Sequence, residues 1–254
     1  MANNILDRYG IKEVADVTFY ELDNDGNPGA PVLYLDTLKV STIEQTAESS
    51  EARGGKGNPA LITWDYGKEI NVTLEDALYS PKSLALMFGD LDANNRPDPD
   101  QDTITLRKTV RMADAISVTA GTEGATTTNY KVEVNGTTIT FTSYTLYTET
   151  GSTTTDASSA AYITGTFSPS KTMTIDVSAN TFPGNYYVTG DTYARSETTG
   201  KDEFFQFIIP KAKVLSESNT ITLEAEGDPT VFSMNLKVLR PKSGPMMKLV
   251  QYSI

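Results

Sequence analysis

The sequence predicts an all-β protein with one short helix, built as a β-sandwich or partial Greek-key barrel that carries an inserted β-lobe. Three observations predict it. Apolar side chains recur at every second position over most of the chain, the spacing of half-buried strands whose successive side chains face opposite ways. Clusters of Gly, Pro, Asn and Asp punctuate these runs at short intervals. A single segment has the caps and composition of a helix.

Val17 and Phe19 alternate with Thr18 and Tyr20, and the turn-forming run Asp23-Asn24-Asp25-Gly26-Asn27-Pro28-Gly29 leads into a second strand, Val32 to Val40. This is a hairpin. Glu44 to Pro59 is polar, glycine-containing and without apolar anchors, so it is expected to be a long loop, and long loops in compact domains are disordered or functional. Ile70, Val72 and Leu74 then alternate with Asn71, Thr73 and Glu75 as a further strand.

Ser80 to Gly89 places a hydroxyl at the N-cap, Pro81 at the first helical position and glycine at the stop, which predicts a helix packed through Leu84, Met87 and Phe88. An acidic loop, Asp90 to Asp102, precedes a strand from Thr103 to Val110. From about Ala115 to about Ala161 the chain turns to Thr, Ser and Ala. Within it Tyr130, Val132 and Val134 run through Asn135-Gly136 to Ile139 and Phe141, a strong hairpin signal. A partly mobile surface loop is the competing reading of such low-complexity sequence. The domain expectation is a core from 1–114 and 162–254 interrupted by a lobe at 115–161.

The last third is the most strand-like. Runs through Phe205, Phe207 and Ile209, through Ile221 and Leu223, and through Phe232, Met234, Leu236 and Val238 precede a closing strand at Met247 to Tyr252. Gly227-Asp228-Pro229 and Pro241 to Pro245 separate them as turns.

Composition narrows the chemistry. At 254 residues, 38% hydrophobic and 21% charged, the chain can bury a sizeable core. It contains no cysteine and no histidine. Thiol nucleophiles, disulfides, thiolate metal sites and imidazole-dependent triads are therefore excluded. With 33 acidic and 21 basic side chains the net charge is -12, which disfavours specific nucleic-acid binding and anionic membrane surfaces. No apolar run reaches the roughly 20 residues that span a bilayer. The N-terminus lacks the pattern of a secretory signal, and the expectation is a protein that stays where it is made or leaves by a route that reads no signal peptide.

Candidate sites each meet a plainer alternative. Asp90, Asp92, Asn94, Asp98, Asp100 and Asp102 have the alternation of a calcium loop, but Asn95 stands where glycine is required and Gln101 where a bidentate Glu is required. Asp23, Asp25 and Asn27 fail in the same way at Pro28, and turn chemistry is favoured at both. Glu224 and Glu226 on one strand face could be paired glycosidase acids, though a wetted sheet face explains them. Trp64 and Tyr66 suit a stacking site, a core or an interface anchor. Gly54-Gly55-Lys56-Gly57 lacks the spacing of a phosphate-binding loop. No catalytic residue, metal ligand or cofactor site is expected.

The segment Phe205-Gln206-Phe207-Ile208-Ile209-Pro210-Lys211-Ala212-Lys213-Val214, followed by Leu223 to Pro229 and Phe232 to Leu236, resembles the C-terminal half of tail tube proteins of tailed bacteriophages. Thr42 to Asn58, Ile62 to Lys68 and Ser80 to Gly89 agree with it. The resemblance implies a tail-tube-type β-sandwich or partial barrel that forms hexameric rings stacked into a hollow virion tube. It also implies assembly in the host cytoplasm, with tape-measure and tail-terminator or tail-tip proteins as partners and double-stranded DNA passing without specific binding. Carried onto this chain, the long loop becomes the inter-ring contact, with Glu44, Glu48, Glu51, Arg53, Lys56 and Asn58 as its residues, and the arm from Met1 to about Ala15 a second contact. The inserted lobe is not expected of a minimal tube protein. A carbohydrate-binding or adhesin-like β-sandwich is the alternative function.

Overall fold

The computed structural model describes residues 8–114, 117–119, 130–134, 136–217, 219–221 and 231–253. In chain order the first elements are β1 (Tyr9–Ile11), β2 (Asp16–Leu22), β3 (Pro28–Leu35), β4 (Leu38–Arg53), β5 (Ala60–Asp76) and helix α1 (Pro81–Phe88). They are followed by β6 (Leu106–Arg111), β7 (Ser117–Thr119), β8 (Tyr130–Val134), β9 (Thr137–Phe141), β10 (Ser143–Tyr147), β11 (Thr153–Thr154) and β12 (Tyr162–Phe167). The last are β13 (Asn185–Ser196), β14 (Asp202–Val214), β15 (Phe232–Val238) and β16 (Lys248–Tyr252). Among the described residues the fold is mostly strand, with several antiparallel sheets, one short α-helix and no closed barrel. The chain forms two compact units, Met1–Pro99 with Ile175–Ile254, and Asp100–Thr174.

The first unit is one nine-stranded sheet in the order β3-β2-β13-β14-β15-β5-β4, with β1 added on β13 and β16 on β14. Its spine is the long pair β13–β14, from Asn185↔Lys213 to Arg195↔Asp202. The inner face carries Val17, Phe19, Val72, Leu74, Tyr186, Val188, Ile209, Val214 and Leu236, all essentially buried, and α1 contributes Leu86 and Met87 to the same core. Leu84 and Phe88 pack against its margin.

The helix begins and ends as its sequence requires. Ser80 Oγ accepts from Ser83 N at 3.0 Å while Ser83 Oγ accepts from Ser80 N at 2.9 Å, a reciprocal cap that satisfies two otherwise orphaned N–H groups. Gly89 closes it with φ 81, and a Cβ there would come within 2.9 Å of the Phe182 backbone.

The expected strand Val32 to Val40 is two strands. The chain leaves β3 at Leu35 and enters β4 at Leu38, and Thr37 Oγ1 donates to the buried Asp76 carboxylate, which also accepts from Leu78 N at 3.1 Å. This junction turns the chain from one end of the sheet order to the other, a long-range event without a local signature. The expected strand through Ile221 and Leu223 and the pair Glu224 and Glu226 lie largely or wholly outside the described residues.

The second unit has a four-stranded sheet, β11-β10-β12-β6, and a three-stranded one, β7-β8-β9. Val110, Tyr130, Val132, Ile139, Phe141, Leu146 and Ile163 form its separate core. The hairpin β8–β9 has Val134 opposite Thr137 and Gly136 at φ 73, the left-handed position that glycine supplies without strain. Residues 115–161 fall inside this unit, which also holds β6 and β12, paired from Tyr162↔Arg111 to Phe167↔Leu106.

Candidate assembly surface

The segment expected to be a loop, Glu44 to Pro59, is most of one strand and the tip of a long hairpin. β4 and β5 pair from Leu38↔Asp76 to Arg53↔Ala60, leaving only 54–59 as a turn. The tip follows from its residues: Gly55 has φ 84, Gly57 φ 86 and Asn58 φ 50, three left-handed positions filled by the two residue types that tolerate them best. Asn58 N donates to Gly55 O at 3.1 Å and Gly54 N to Pro59 O at 3.3 Å. The strand was illegible because β4 is rich in Glu, Ser, Thr and Ala with both faces wet, so no apolar period marks it.

Only the base of the hairpin touches the core, through Leu38, Ile70, Val72 and Leu74. Every position from 42 to 51 and from 55 to 69 is exposed. Beyond Thr46 and Glu69 the ribbon extends by roughly 25 Å at about 3.3 Å per residue. Strand β15 covers β5 only from Asn71 to Asp76, and β4 ends the sheet order. Among the described residues, both edges of the ribbon therefore offer unpaired N–H and C=O groups, a template for further strand pairing.

A bulge decides which way the ribbon's aromatic side chains face. Ile62, Trp64, Tyr66, Ile70, Val72 and Leu74 are all even-numbered, and a regular strand would put all six on the core face. The register shifts where Thr46 pairs with Glu69 but Glu48 pairs with Tyr66, so Gly67 and Lys68 together oppose Ala47. Gly67, at φ 63, supplies the left-handed residue of such a bulge. Cross-strand partners share a face, so Ile62, Trp64 and Tyr66 turn away from the core side and lie with Ala52, Ser50 and Glu48. Trp64 and Tyr66 are each 53% exposed and Leu61 is 65% exposed.

The six residues assigned to the contact divide along this ribbon. Glu44 and Glu48 share the aromatic face, Glu51 and Arg53 lie on the other and form an ion pair, and Lys56 and Asn58 occupy the tip. Sequence reasoning did not single out Leu61 and Ile62, although their density beside Trp64 and Tyr66 in a polar stretch was the available signal.

The acidic motifs are turns built on one plan. Asp23 Oδ1 accepts from Asp25 N at 2.9 Å and Asn27 N at 2.8 Å, and Asp92 Oδ1 accepts from Asn94 N and Arg96 N at 2.8 Å each. The fourth residue of each is left-handed, Gly26 at φ 87 and Asn95 at φ 59. These backbone donors hold both Asp carboxyls below the ordinary carboxylate range, and these two of the carboxylates that spacing offered to a cation accept from backbone N–H groups of their own turns. Arg96 pairs with Glu21 between the two turns, and its hydrogen bond lowers the Glu21 carboxyl. Among the described residues no group of three or more acidic side chains is placed to hold a metal ion.

No curated protein matches the chain. Residues 9–94 and 99–251 match the sequence model of the YomU/Tube protein family, and the second match runs through the whole of the second compact unit. A β-rich chain with a long, two-edged, aromatic-bearing ribbon, matched over nearly all its length, belongs to the YomU/Tube protein family of phage tail tube proteins.

Proposed function

We propose that the protein polymerises as stacked hexameric rings into the hollow tail tube through which double-stranded DNA passes, and that the β4–β5 ribbon makes the contact between rings. The observation that carries this reading is the ribbon itself. A two-stranded hairpin with no packed face is at best marginally stable in water, and it gains stability when its edges and its Trp64/Tyr66 face meet another chain. Burying roughly 100 Å² more of each of these two aromatics contributes about 2.5 kcal/mol apiece at about 25 cal/mol per Å². Glu44, Glu48, Glu51, Arg53, Lys56 and Asn58 set register and orientation across that contact. The N-terminal arm is the second contact, and tape-measure and tail-terminator or tail-tip proteins meet the ends of the tube. A net charge of -12 suits a conduit whose walls repel phosphate. No reactive site is part of this reading, and assembly takes place in the host cytoplasm.

The test respects the hairpin. Removing Ser49 to Gly57 alone would strip β5 of its partner, so the better variant replaces residues 47–68 by Asn-Gly, joining Thr46 to Glu69 through a two-residue turn. Its thermal unfolding should match the parent, while negative-stain images should show hollow rods for the parent and none for the variant. Long rods from the shortened protein would remove the ribbon from the contact, and rings of another symmetry would overturn the hexamer.

A further inference from the structure

The outward face of the sheet β10-β12-β6 is a grid of nine side chains fixed by register. One row is Arg111, Tyr162 and Tyr147, the next Thr109, Thr164 and Thr145, and the third Arg107, Thr166 and Ser143. The opposite face supplies Val110, Ile163 and Leu146 to the core, so the grid is the wet side, and each of its members is exposed or half-exposed. Every position carries a hydrogen-bonding group. None is acidic, in a chain with 33 acidic side chains. Thr109 and Thr164 hydroxyls lie 2.9 Å apart at its centre. Among the described residues Arg107, Arg111 and Arg240 have no ion-pair partner, whereas Arg8, Arg53, Arg96 and Arg195 do.

We infer that this face binds a linear polysaccharide bearing carboxylate groups. The two guanidiniums start from Cα atoms about 13 Å apart along β6, and the three strands span about 10 Å across, a flat platform the size of a few sugar rings. Arginine matches a carboxylate with two parallel N–H donors, the hydroxyl rows match sugar hydroxyls, and two tyrosines side by side give a ring-stacking surface at one end. Two cations in a strongly acidic chain are too few to hold a nucleic-acid backbone, whose binding scales with the number of phosphates neutralised. The platform is shallow, so a single copy binds weakly, and many copies in an assembled particle would bind one polymer tightly. The inference rests on the second unit alone and stands whether or not the ribbon joins rings.

The experiment is affinity chromatography of the full chain at low salt on immobilised polygalacturonate, dextran and phosphocellulose. Retention on polygalacturonate alone is expected, against the repulsion that a net charge of -12 exerts on an anionic matrix. Arg107→Gln with Arg111→Gln should weaken binding at least tenfold, and Thr145→Glu, which places a carboxylate at the grid's exposed margin, should do the same with both arginines intact. Unchanged retention of the two variants, absence of retention by the parent, equal retention on dextran, or stronger retention on phosphocellulose would each overturn the proposal. Thermal unfolding of both variants separates loss of the site from loss of the fold.

Discussion

The ring of Phe207 lies against Gly190, its cross-strand partner in β13–β14, so closely that a Cβ at Gly190 would stand 2.1 Å from Phe207 Cζ. Glycine in the middle of a strand costs conformational entropy, and here the absent side chain is the space a buried aromatic needs. Gly190→Ala should destabilise the protein by about 1 to 3 kcal/mol through overpacking. Gly10→Ala, with nothing within 4 Å of the added carbon, should change stability by less than about 0.5 kcal/mol. Urea unfolding of the two variants checks the contrast.

Tyr186 ties the spine to the acidic turn: its buried hydroxyl donates to Asn95 O at 2.9 Å, and burial pushes its pKa from 10.0 up to about 12. The folded state therefore holds this proton more tightly than the unfolded chain. The associated stability is whole below pH 10 and is lost as pH rises towards 12. The loss should be roughly 2 to 3 kcal/mol over that window. Tyr186→Phe should cost about 1 kcal/mol at neutral pH and flatten this alkaline decline, as read by denaturant midpoints at each pH.

At the acid end the sign reverses. Asp23 and Asp92 titrate below their ordinary value because backbone N–H groups donate to their carboxylates, so their contribution is present above that value and disappears as pH falls through the depressed one. Melting temperature should drop with acidification, and an Asp23→Asn, Asp92→Asn double variant should melt lower at neutral pH with a shallower acid slope. Thermal scans from neutral to strongly acidic buffer test this.

Inserting one residue after Ala47 gives Gly67 and Lys68 a partner each, so the bulge disappears and Trp64 and Tyr66 return to the phase of Ile70 and Val72. The first unit should keep its melting temperature within about 2 °C, because the ribbon beyond Glu69 buries nothing in the core. Rod formation in negative-stain images should fail. Rods of normal length from this variant would show that the face presented by Trp64 is irrelevant to assembly.

Much of the architecture was legible from local chemistry. The caps of α1, the turn Asp23 to Asn27, the β8–β9 hairpin and the alternation of Phe207, Ile209, Met234 and Leu236 each carry their instruction within a few residues. The ribbon did not, because its strands bury neither face and alternation appears only where one face is dry. Its aromatic residues were visible as types and not as a direction, since a one-residue bulge inverts the side on which every later side chain falls.

The sequence by itself determined the class of protein: strand periods, turn residues, one capped helix, and a composition without thiol or imidazole, properties that neighbouring residues settle among themselves. Tertiary structure alone decided that Thr37 closes onto Asp76, that Glu44 to Arg53 lies in a strand, and that Arg107 and Arg111 share a platform with Thr145 and Tyr147. These relations join residues far apart in the chain. Their free energy comes from pairings that exist only once the sheet has formed, and no window of local sequence contains them.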